Sequence, residues 1–303
     1  MDIRSSRLKN ILITFLQWAG ASVGFLFCLV ITNLLLPLPK VMMDAVPASG
    51  FIPSPLAFLA NGSVNGLVLV WAARRSSLKG VAMWFQLFVL SFGAQTFMTQ
   101  IETAYFIQAF PLLHGNFELY QLILRGLITS ALFTLLVTLM AGGFSQKPRS
   151  QSTFMVSTDH AVKNGSWLAV IYIILYMLFG YFVAWQSQEL RLFYGGPAEL
   201  NSFTAQWGLS LMQRPELPVF QYFRGFLWLL CLIPLFMGFN GRRLELVILS
   251  ALTLGLLPTM QLAFANPLMP AGVSLYHFIE VSISTGIFGA LCAWFVPRII
   301  STN

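Results

Sequence analysis

Five residues carry chemistry that lipid alone does not tolerate. Glu102, Arg125, Arg224 and Glu280 each sit inside a stretch apolar enough to cross a bilayer, and His277 lies one helical turn before Glu280. A charge at the centre of a membrane helix costs roughly 2.5–3.5 kcal/mol on insertion scales, so four of them need partners or a task. At helical rise all four fall about 8–10 Å below the same face of the membrane. Two acids and two bases therefore share one layer.

The neighbours of these residues extend the pattern. Glu118, Gln121, Arg125 and Thr129 fall on one face of the fourth apolar segment, and Ser274, His277, Glu280 and Ser284 form a nearly aligned stripe in the eighth. Gln95, Thr99 and Glu102 do the same in the third, and Gln221 precedes Arg224 by one turn in the sixth. Such stripes must face protein or water, because lipid satisfies no hydrogen bond.

Two roles are open to the layer. Arg125 with Glu280 and Arg224 with Glu102 would be buried ion pairs that orient helices, and removing one partner would cost about 3–5 kcal/mol. Alternatively the layer binds something polar: an anionic headgroup on the arginines, or a proton or cation on the glutamates. His277 titrates ordinarily near pH ~6.5, and Glu280 on its face would favour the charged form. A hydrogen-bonded interfacial histidine is the plainer role.

Metal and cofactor chemistry find little support. His277 and Glu280 make half of a bundle metal site, which needs further carboxylates and a second histidine. His114 is the other histidine on that side and His160 lies on the opposite one, so neither a metal nor a haem is expected. Nucleotide-binding loops, HExxH and serine-triad motifs are absent, so no residue is assigned as catalytic.

The elements that must hold these residues follow from composition. Of 303 residues 57% are hydrophobic and 9% charged, and mean hydropathy is +0.76. A soluble domain carries about 25% charged residues, so this chain belongs in lipid. Eight spans are expected at 11–36, 55–73, 81–107, 119–143, 165–186, 218–238, 244–264 and 273–296. The first reads as a retained signal anchor. With the N-terminus in the cytoplasm, twelve Lys or Arg fall on the inside, against Lys40, Arg191 and Arg214 outside. That bias sets both termini inside and accounts for the net charge of +7. No basic stripe with interleaved aromatics appears, which argues against nucleic acid. Cys28, Cys231 and Cys292 all lie in spans and read as buried free thiols.

Residues 144–164 form an inner linker, and 187–217 the longest outer loop, with a short helix expected from Pro197 through AELNSFTAQWGLSLM. The connection after the first span, rich in proline, is expected to be irregular. Pro234 and Pro258 each remove a backbone donor from a span. Gly20/Gly24 and Gly62/Gly66 have the spacing of close helix packing. The halves echo each other: WAARR and FNGRR close the second and sixth spans, and LYQLILR and LYHFIEV open the fourth and eighth. Residues 1–143 and 165–303 thus read as two parallel four-span repeats.

The segments GYFVAWQSQELRLFYGG, FQYFRGFLW and NPLMPAGVSLYHFIEVSISTGIFG resemble a group of bacterial multi-pass membrane proteins of unassigned function. The resemblance covers about the last 130 residues and implies a membrane fold without naming a substrate. The expected protein is an all-α, N-in/C-in inner-membrane protein that binds or moves a small polar or amphiphilic solute, such as a lipid headgroup. The candidates are Glu102, Arg125, Arg224, His277 and Glu280, with Gln121 and Gln221 secondary. Other classes are an enzyme acting on a lipid-linked substrate, with His277 and Glu280 as acid–base pair, and an assembly subunit. Expected partners are membrane lipids, the solute and, for a subunit, another membrane protein or a second copy.

Overall fold

The computed structural model describes residues 3–45, 50–113, 117–146 and 149–300. The helices are α1 (Ile3–Leu35), α2 (Lys40–Asp44), α3 (Ser54–Arg75), α4 (Gly80–Phe92), α5 (Met98–Tyr105) and α6 (Phe117–Met140). They continue as α7 (Thr158–Phe182), α8 (Gln188–Phe193), α9 (Phe203–Gln213), α10 (Leu217–Gly238), α11 (Arg243–Leu256) and α12 (Ala271–Phe295). Among the described residues seven helical stretches are long and apolar enough to cross a membrane. The chain is thus an all-helical, multi-pass membrane protein. Lipid-facing side chains such as Leu8, Leu12, Phe27, Leu59, Val81, Phe223 and Leu230 stay exposed on the bundle.

The segment expected at 244–264 differs from its sequence reading. Its helix, α11, has 14 residues and ends at Leu256, followed by a turn and a 3-10 segment, Met260–Ala263. Pro258 has no N–H to offer the carbonyl of Leu254, one turn back. The Thr285 hydroxyl on α12 donates to that carbonyl instead, at 2.6 Å. Hydropathy alone carries the pattern through Pro258; the backbone hydrogen bonds do not. The third segment is interrupted too, by a π-helical stretch at Gly93–Phe97 between α4 and α5. The two interruptions touch, with Gln261 Nε2 donating to Gln95 O at 3.3 Å.

Packing divides the helices by halves. In the first, α1 lies on α3 and α6, and α4 on α6; in the second, α7 lies on α10 and α12, and α11 on α12. The halves join where α4 meets α10 and α3 meets α11. Close approach is built on glycine: a Cβ on Gly62 or Gly66 would lie 2.7 Å from Ser22 of α1, and one on Gly255 2.7 Å from Ser282 O of α12. The main hydrophobic core, including Leu69, Leu87, Phe133, Trp228, Leu235 and Phe288, runs through both halves, with smaller clusters around Phe110 and Val273.

At the end of the bundle holding residues 76 and 239, backbone pairs with backbone. Ser77 N donates to Gly238 O at 2.7 Å and Asn240 N to Arg75 O at 2.7 Å, while Phe154 and Met155 pair with Ile299 and Arg298. Arg149 donates to Ala73 O, Ser76 O and Ala141 O, and so covers the last carbonyls of α3 and α6. Desolvation lowers its pKa from the ordinary arginine value.

The connections contain structure that hydropathy hides. Helix α7 begins at Thr158, inside the expected linker 144–164, and α2 occupies part of the proline-rich connection. The outer-loop helix begins at Phe203 rather than just after Pro197, because Ser202 caps it by accepting from Ala205 N. Helix α8 is capped in the same way by Ser187 and ends at Phe193, two residues before Gly195, whose φ of +72° turns the chain.

Candidate functional site

At the opposite end of the bundle, α5, α7, α10 and α12 converge on a polar cluster. Arg224 on α10 is 3% exposed and grips Glu102 on α5 through two hydrogen bonds, Nη1 to Oε1 at 2.9 Å and Nη2 to Oε2 at 2.8 Å. Its Nη1 also donates to Gln221 Oε1 at 2.9 Å, and the rings of Tyr172 and Phe220 flank the guanidinium. The bidentate fork is the strong geometry for a charge pair withdrawn from water. The expected Arg224–Glu102 pair is therefore present, with Gln221 as its third member.

Glu280 on α12 has no basic partner of that kind. Its side chain is 7% exposed, and its hydrogen bond runs to His277 Nδ1 at 3.4 Å. The other ring nitrogen, Nε2, lies 2.9 Å from Tyr194 Oη. Burial, and then the carboxylates of Glu102 and Glu280, push the Tyr194 phenol well above its ordinary range. A Tyr194 hydroxyl that keeps its proton can donate to Nε2, while Nδ1 faces Glu280. The result is a chain Tyr194–His277–Glu280.

A cavity of about 220 Å³ opens beside these groups. Glu102, His277 and Glu280 form its polar side, and Phe106, Tyr176, Tyr181, Trp185, Tyr194 and Trp207 supply aromatic walls. Arg191 builds the loop around it: buried at 5% exposure, it donates to the carbonyls of Trp185, Gln186, Pro197 and Ala198. Arg214, which also lines the cavity, lies over the Tyr105 and Phe106 rings, 5.8 and 4.9 Å from their centroids. The buried indole nitrogens of Trp185 and Trp207 have no hydrogen-bond partner. Among the described residues no three His, Cys, Asp or Glu side chains are grouped to hold a metal ion. His114 lies outside the described residues.

Arg125 corrects the sequence expectation. It does not meet Glu280; it donates to Leu36 O and, at 3.2 Å, to Asn33 Oδ1. Gln121 Nε2, one turn away, donates to Pro37 O at 2.6 Å, and Thr129 bonds Thr32 at 2.8 Å. Arg125, Gln121 and Thr129 of the α6 stripe therefore seal the end of α1, while Glu118 Oε2 is buried without a partner. The cause lies in the sequence Leu36-Pro37-Leu38-Pro39: helix ends leave carbonyls without donors, and the two prolines have no N–H to offer. A cation at a helix C-terminus also meets the negative end of its dipole. The similar openings LYQLILR and LYHFIEV thus do not bring Arg125 and Glu280 together.

Glu102, Arg224, Gln221, His277 and Glu280 are thus brought together, and Arg125 and Gln121 stand apart. Sequence reasoning missed Tyr194, Arg191 and the wall residues Tyr176, Trp185 and Trp207. A proximity signal existed for three of them, since Trp185, Arg191 and Tyr194 crowd the start of the longest outer loop. Comparison with protein-family models, with curated proteins and with solved structures finds no match to this chain.

Proposed function

We propose that the chain is a bacterial inner-membrane protein, N-in and C-in, that binds a small polar or amphiphilic solute and passes it through this layer. The observation that carries the proposal is the cavity, in which the half-buried Glu102, the buried Glu280 and aromatic walls share one space. Concave sites with apolar walls and a few converging polar groups are the common form of a small-ligand site. The positive-inside distribution of Lys and Arg directs the cavity to the outer face.

We further infer two parallel four-span repeats, with α11 and its 3-10 segment filling the role of a broken seventh span. The helix contacts support this, since α1–α3, α1–α6 and α4–α6 recur as α7–α10, α7–α12 and α11–α12. With Gln100 matched to Gln261, the π segment Gly93–Phe97 falls on residues 254–258, where α11 stops. Interruptions at corresponding places in two repeats are a feature of membrane transporters, where unwound backbone lines a path.

Outward access is tested with Ser210→Cys, a cavity-wall position on α9, since the three native cysteines are buried. A membrane-impermeant maleimide should label this variant in intact cells once the outer envelope is opened. Labelling that requires lysis of the inner membrane would refute the outward orientation.

A further inference from the structure

We propose that the cavity is an ammonium site, with Glu280 as counter-charge and the surrounding rings as a cage for a protonated amine. The inference rests on the cavity being a solute site and names the class of solute. Three charged residues line the cavity, and two of them are carboxylates. Glu102 is already neutralised by both terminal nitrogens of Arg224. Glu280 meets only His277, at 3.4 Å, and among the described residues no lysine or arginine forms an ion pair with it. A buried carboxylate in that position needs a proton or a positive ligand.

The walls select between solutes of different charge. Cations bind over the faces of Trp, Tyr and Phe within about 6 Å, and aromatic cages recognise ammonium groups. An anion would need free basic groups, and here they are committed. Arg224 is held by Glu102 and Gln221, Arg125 by the end of α1, and Arg191 by four loop carbonyls. Arg214, the third charged residue of the lining, lies over the Tyr105 and Phe106 rings, and its charge is met by Glu216. An anionic headgroup on the arginines, one of the sequence-level alternatives, is thereby disfavoured. The same ammonium chemistry has two sources, a free amine or the amine head of a lipid.

The test titrates the purified full-length protein with ethanolamine and follows tryptophan emission, which Trp185 and Trp207 report from the wall. Phosphate and glycerol serve as anionic and neutral probes. Ethanolamine should bind saturably and the other two should not. Glu280→Gln should weaken it roughly tenfold or more, the loss of a hydrogen bond to a charged group. Trp207→Leu, which leaves every charge in place, should weaken it about threefold. Saturable binding of glycerol or phosphate, unaltered in Glu280→Gln, would overturn the ammonium assignment while leaving a solute site. Binding of no probe, with the thermal melt intact, would overturn the site itself. Repeating the titration in nanodiscs separates the sources. Ethanolamine competing in phosphatidylethanolamine discs but not in phosphatidylglycerol discs would identify the lipid head as occupant; equal titration in both would identify the free amine.

Discussion

Arg125 and Arg224 lie eight and seven residues past the starts of α6 (Phe117) and α10 (Leu217), yet they do opposite things. Arg125 turns to the end of α1 and closes it, so its charge is taken up by a backbone carbonyl and the Asn33 amide. Arg224 turns to a carboxylate on α5, and beside it the second half keeps Glu280 at the edge of a cavity. The difference comes from neighbours rather than from the arginines. Proline at 37 and 39 leaves α1 with carbonyls to satisfy, whereas α5 ends in a segment that offers Glu102. A buried charge in a membrane helix is structural where backbone acceptors are orphaned and becomes available for ligands where acids outnumber bases.

That contrast can be broken from its most expensive side. Glu102→Gln leaves Arg224 buried without a charged partner, and stability should fall by about 3 kcal/mol, measured by denaturant unfolding in detergent. Arg125→Leu removes the seal on α1 and should cost about 2 kcal/mol in the same assay, with ethanolamine binding unaltered. If Arg125→Leu abolished binding, the two halves would not differ as described. Tyr194→Phe removes one hydrogen bond to His277 and should cost about 1 kcal/mol or less. It should also weaken ethanolamine binding by a few-fold, through loss of the orientation of the ring.

Much of this architecture was legible without coordinates. Long apolar runs gave the helices, and Gly62 and Gly66 pack on α1 as their spacing implies. The pair Arg224–Glu102 was also legible, since depth and opposite charge suffice when two helices touch. Three things were not. The break at Pro258 depends on which carbonyl lacks a donor, and hydropathy does not count hydrogen bonds. The role of Arg125 depends on a helix end 89 positions away in the chain. The aromatic walls come from a loop whose path is set by Arg191 and its four carbonyl contacts, and local sequence pattern does not encode such a path.

The central claim is that the two acids at the cavity, the half-buried Glu102 and the buried Glu280, have different tasks. It is tested most directly by thermal unfolding of Glu102→Gln and Glu280→Gln side by side, each with and without ethanolamine. A ligand that binds the folded state alone raises the melting temperature. We expect Glu102→Gln to melt well below the wild type, and Glu280→Gln to melt with the wild type but to lose the ethanolamine-dependent rise. Equal destabilisation of both variants, or a full ethanolamine shift in Glu280→Gln, would contradict it.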